Sequence, residues 1–107
     1  MEKHLQELKK AAVEDYRRFC ARLNASDIEK RVQDFADAFT FKKNKKYIKV
    51  INARSAWGFI VTEDDGKFRK GDILKAKNWS SPEKNHPRGN IIDGGYRVEW
   101  TSPLYLR

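Results

Sequence analysis

The chain has 107 residues, a formal net charge of +8 and 36% charged side chains, against a usual charged fraction of about 25%. That length allows one domain with a modest core, and thirteen aromatics, three of them Trp, exclude a disordered polyelectrolyte. A lone Cys20 and two His exclude a disulfide framework and a full zinc ligand set. No apolar stretch approaches the roughly 18 to 20 residues that span a bilayer. Met1-Glu2-Lys3-His4 leads into an amphipathic pattern without a signal-peptide core, so a soluble cytoplasmic protein is expected, with no membrane partner and no cofactor.

Residues 1–41 carry eight basic and eight acidic side chains, whereas residues 42–107 carry fifteen basic and seven acidic ones. The whole net charge therefore lies in the second part. In the first part, Leu5, Leu8, Ala12, Tyr16, Phe19, Cys20 and Leu23 recur at spacings of three and four, which predicts a helix from Glu2 to Leu23. Asn24 suits a left-handed helix stop. Ser26-Asp27-Ile28-Glu29 matches a capping box for a second helix from Asp27 to Phe39. The short connection predicts an antiparallel helical hairpin. Its apolar stripe is long for packing on one small sheet, so a homodimer through the hairpin is a further expectation.

From Lys42 the character changes. Lys42-Lys43-Asn44-Lys45-Lys46 reads either as a solvated linker or as a phosphate-contacting cluster, with Lys49 added by the strand that follows. Tyr47–Ile51 and Trp57–Thr62 have strand character. Trp57, Phe59 and Val61 are expected to alternate onto one face. Asp64-Asp65-Gly66 is a turn, followed by Lys67-Phe68-Arg69, the bend Lys70-Gly71-Asp72, and Ile73–Ala76. After a looser stretch, Gly89–Ile92 leads into the turn Asp93-Gly94-Gly95. Tyr96–Trp100 alternates with period two, and Leu104-Tyr105-Leu106 is expected as an edge strand. The fold class is therefore α+β: residues 1–41 as a helical hairpin, then residues 42–107 as a small, strongly curved antiparallel sheet or partly open barrel of five to six strands.

Candidate site residues follow from this layout. In Lys84-Asn85-His86-Pro87-Arg88-Gly89-Asn90, an extended backbone places Lys84, His86, Arg88 and Asn90 on one side as an anion site, with Gly89 allowing a backbone to approach. The plain alternative is an exposed loop. Trp79, flanked by polar residues, is either a loop anchor or an exposed contact residue. Catalysis has little support, since only His86 offers acid–base chemistry and no second group is placed with it. No metal site is expected.

Lys67-Phe68-Arg69-Lys70-Gly71-Asp72-Ile73-Leu74-Lys75, Trp79, Arg88-Gly89-Asn90-Ile91 and the closing Trp100-Thr101-Ser102-Pro103-Leu104-Tyr105-Leu106 resemble small, functionally unassigned proteins of tailed bacteriophages. The resemblance implies a product acting in the host cytoplasm on nucleic acid or on a host protein. The expected function is a non-enzymatic nucleic-acid-binding protein using Lys42, Lys43, Lys45, Lys46, Lys49, Trp79, Lys84, His86 and Arg88. The alternative is a protein-interaction module or inhibitor docking on an acidic host protein.

Overall fold

A computed structural model describes residues 1–103. Helix α1 spans Glu2–Arg22 and α2 spans Ile28–Ala38; strands β1 (Phe39–Lys43), β2 (Tyr47–Asn52), β3 (Ser55–Val61) and β4 (Ile73–Lys75) form one antiparallel sheet in chain order. The class is α+β. Among the described residues the sheet is open and has four strands rather than five to six, and it does not close into a barrel. Lys67–Arg69, Gly89–Ile92 and Tyr96–Trp100 do not join the ladder; the last two contribute only isolated bridges, Asp72 with Asn90 and Val98 with Pro103. The edge strand expected over Leu104–Leu106 lies outside the described residues.

Helix α1 carries Glu2 in its first turn and Arg22 in its last, both matched to the helix dipole. Asn24 takes the left-handed conformation (φ 52°), as the stop signal requires. The capping box does not form. Asp27 is itself left-handed (φ 55°) and makes no side-chain cap, Glu29 is drawn to Arg17, and Arg31 Nε donates to the Ser26 carbonyl at 2.7 Å. Helix α2 runs directly into β1 without a loop: Phe39 ends the helix in extended conformation, and the Ala53 amide donates to the Ala38 carbonyl. The boundary expected between residues 41 and 42 thus falls inside a strand.

Leu5, Leu8 and Ala12 of α1 and Phe35 of α2 share one buried cluster with Phe39, Ile48, Val50, Trp57, Ile60, Ile73 and Ile91. The two sequence parts form one core. Tyr16, Phe19, Phe35 and Trp100 close its far end; Tyr16 stacks on Phe35 at 4.7 Å and meets Trp100 edge-on at 5.1 Å. The apolar stripe of α1 is therefore largely absorbed within the chain, with Leu23 left 63% exposed at its end. This removes the surplus stripe on which the homodimer expectation rested.

The expectation that Trp57, Phe59 and Val61 share a face is overturned by a β-bulge. Val50 pairs with Gly58 but Ile51 pairs with Ala56, which leaves Trp57 as the extra residue. Trp57 is rotated into the helix-side core, where its indole N–H donates to the Glu99 carbonyl at 3.0 Å. Phe59 and Val61 stay on the other face, with Phe68 and Leu74. The alternation of residues 96–100 survives without a ladder: Tyr96, Val98 and Trp100 pack on the core while Arg97 and Glu99 are exposed. Its polar backbone is satisfied across the fold, the Trp100 amide donating to Asp15 at 2.9 Å.

Asn90 fastens the irregular half. Its Nδ2 donates to Asp72 Oδ1 and to the Lys70 carbonyl, both at 2.9 Å, and its Oδ1 accepts from the Ile92 and Asp93 amides. All four bonding positions of a buried amide are used. The bend at Gly71 (φ 90°) lies so close that a Cβ there would sit 2.9 Å from Asn90 Oδ1. Asn90→Ala is expected to cost on the order of 3 kcal/mol in urea unfolding, because it orphans several buried groups at once; a change under roughly 0.5 kcal/mol, the range of an ordinary surface substitution, would contradict this role.

Candidate nucleic-acid interface

The sheet register builds one row across all four strands on the face away from the helices: Lys42 opposite Lys49, Lys49 opposite Phe59, and Phe59 opposite Leu74. Cross-strand partners have Cβ atoms about 5 Å apart, and like charges placed so are unfavourable. No carboxylate pairs with Lys42 or Lys49 among the described residues. Lys42 is exposed, whereas Lys49 is only 8% exposed and lies between aromatic rings. Its ammonium sits 4.0 Å from the centre of the Trp79 ring and 6.0 Å from that of Phe59. Aromatic faces replace an anion for this buried cation.

Trp79 is 49% exposed and is both anchor and surface residue. The loop that presents it is closed by Asn78, whose Oδ1 accepts from the Ser80 and Ser81 amides at 2.9 Å. The Ala76–Pro82 bridge fastens its base.

The lysine run is not a linker. Lys42 and Lys43 end β1, and Asn44, Lys45 and Lys46 make the hairpin turn into β2, with the Asn44 amide bonded to the Tyr47 carbonyl. Thr62 clamps this turn, its hydroxyl within 2.9 Å of the Lys46 carbonyl and 3.1 Å of the Lys45 carbonyl. The run is divided by face. Lys43 reaches toward Glu2 on the helix side (3.9 Å) and Lys45 is exposed, while Lys46 turns toward Asp65 (3.9 Å) with its ammonium 5.8 Å from the Tyr47 ring centre.

Asp65 is where the two basic clusters meet. Its carboxylate accepts from the Phe68 and Lys67 amides at 2.8 and 3.1 Å. The Phe68 amide first, then the Lys67 amide and the charges of Lys46 and Lys84, hold its carboxyl below the ordinary value of 3.8. Lys67 joins the group, donating to the Lys84 carbonyl with its ammonium 5.4 Å from the Phe68 ring centre. Sequence reasoning took Asp64-Asp65-Gly66 only as a turn and passed over Lys67. The turn is real, but its aspartate also gathers lysines from positions 46, 67 and 84.

The expected anion loop is rearranged. Lys84 and His86 are exposed, but Arg88 is 1% exposed and Asn90 is buried, so the four do not project to one side. Arg88 Nη2 pairs with Glu83 at 3.0 Å and its Nε donates to the His86 carbonyl at 3.2 Å. The guanidinium fork faces inward and organises its own loop. The close approach at Gly89 (φ 146°) is also internal, since a Cβ there would meet Tyr96 Cβ at 2.6 Å. His4 lies against Glu7; His86 makes no side-chain contact with an acid–base partner among the described residues. No group of three or more metal-ligating side chains occurs among the described residues.

On this face Lys42 stands opposite Lys49, whose ammonium meets Trp79, while the ammonium groups of Lys46 and Lys67 lie by the Tyr47 and Phe68 rings of the apolar layer that includes Phe59. Tyr47 contributes a buried hydroxyl without a hydrogen-bond partner. Among the described residues no helix is long and apolar enough to cross a membrane. Comparison of the chain with family models, curated proteins and solved structures returned no match. The phage resemblance thus rests on sequence pattern alone.

Because the folded Asp65 carboxyl titrates below its ordinary value, its stabilising contribution is complete above about pH 4 and is lost as pH falls through the folded value. Asp65→Ala should therefore lower the melting temperature at pH 7, and its deficit against the parent should shrink below about pH 4. A deficit of the same size at pH 2.5 and pH 7 would contradict the charge-dependent role.

Proposed function

We propose that this chain is a small non-enzymatic binding protein that contacts nucleic acid through the basic, aromatic-backed face of its sheet. The observation that carries the reading is the Lys42–Lys49 cross-strand pair, two like-charged residues set opposite one another with no acidic partner among the described residues. A polyanion offsets that repulsion and releases counterions on binding. Lys46, Lys67 and Lys84 widen the patch around the same apolar layer. The Lys46–Asp65 approach is an exposed pair at 3.9 Å, weak enough to yield to a phosphate. As a phage-type product such a protein would act in the host cytoplasm. Docking on an acidic host protein remains the competing reading, and the burial of Arg88 removes that residue from both.

Fluorescence anisotropy with labelled oligonucleotides tests the proposal. With four lysines on phosphates, log affinity should fall against log salt with a slope of roughly −3 to −4. Lys42→Gln, Lys46→Gln and Lys84→Gln combined should flatten that slope by about two to three units. Affinity indifferent to salt, or a triple variant that binds like the parent, would overturn it. A partner captured from nuclease-treated lysate and lost in the same variant would favour the acidic-protein reading.

A further inference from the structure

We infer that Trp79 is a base-stacking residue and that the nucleic acid taken by this face is single-stranded; the inference rests on the binding function proposed above and specifies its substrate. Three observations converge on it. The Asn78 turn fixes the loop that presents Trp79, so little ordering remains to be done on binding. The Lys49 ammonium covers one face of the indole, 4.0 Å from its ring centre, and 49% of the residue is still exposed, which leaves the opposite face for a ligand. Lys42 lies next to Lys49 across the strand pair, within reach of the backbone of a nucleotide whose base rests on the indole.

A flat apolar ring with cations beside it matches a nucleotide, whose base offers a π-face and whose phosphate offers charge. In a duplex both faces of each internal base are already stacked on neighbours, and freeing one costs a few kcal/mol. A single strand presents its bases without that cost. Stacking is tolerant of base identity because every base has a π-face, so no sequence reading is implied.

The test compares a fluorescein-labelled oligo(dT) of about fifteen nucleotides with a duplex of equal length, using the full chain at one fixed salt concentration. The parent should prefer the single strand by at least tenfold. Trp79→Ala should weaken single-strand binding by roughly five- to a hundredfold, far more than it changes duplex binding, and be largely rescued by Trp79→Phe. Thermal melts of both variants establish that they are folded. Equal affinity for single strand and duplex, or a Trp79→Ala variant that binds the single strand like the parent, would overturn the stacking role while salt-dependent binding stands. Loss of all salt-dependent binding in the parent would instead remove the nucleic-acid function itself.

Discussion

A sheet has two faces, and this chain provides a single pair of helices to cover them. Strand β3 shows the consequence most clearly, because every residue from Trp57 to Val61 is buried. The helices and the 96–103 segment cover one side. The other side is closed by Phe68, by the 77–84 loop and by lysine stems, of which Lys67 is exposed while Lys49 is buried against Trp79. Long basic side chains can cover apolar surface while keeping the ammonium near water. The need to cover a second face with few apolar residues is thus the source of the basic, aromatic-backed surface.

The bulge at Trp57 is the local device that makes this division work. Without the extra residue, the large indole would sit on the same face as Phe59 and Val61 and displace the layer beneath Lys49. With it, Trp57 serves the helix-side core and bonds to the C-terminal segment, and the far face keeps only the smaller layer over which Trp79 folds. The charge distribution follows from the same geometry. Residues 1–41 balance in number of charges, and some of them pair within or between the helices, such as Arg17 with Glu29 and Lys30 with Asp34. Lys46, Lys49 and Lys67 instead face aromatic rings, Lys46 and Lys67 in exposed positions and Lys49 buried.

The helices were legible in the sequence because their stripe has the period of an isolated helix and its partners lie within the same pattern. The cores of β2, β3 and β4 were legible from β-branched and aromatic runs. Strand β1 was not, because Phe39 fits the helical spacing of α2 and the lysines after it look like a linker. Only pairing with β2 shows that Phe39 and Phe41 alternate inward. Arg88 was misplaced for a related reason: a charged residue in a Pro- and Gly-containing loop looks exposed, and Glu83, which lets it be buried, is unremarkable in sequence. Trp79 was left open between anchor and contact residue, and it lies against the Lys49 ammonium while 49% exposed. That Lys46 would approach Asp65 and Lys67 the Lys84 carbonyl depends on tertiary structure alone, as no local pattern encodes it.

The proposed binding surface is the face of the sheet away from the helices. Its most direct test is a titration of isotopically labelled protein with an unlabelled oligonucleotide, followed by amide and indole chemical-shift mapping. The largest shifts are expected at Lys42, Lys46, Lys49, Lys67 and Lys84 and at the Trp79 indole, with α1 and α2 nearly silent. Shifts centred on the helices, for example at Lys9, Lys10 and Arg18, would contradict it.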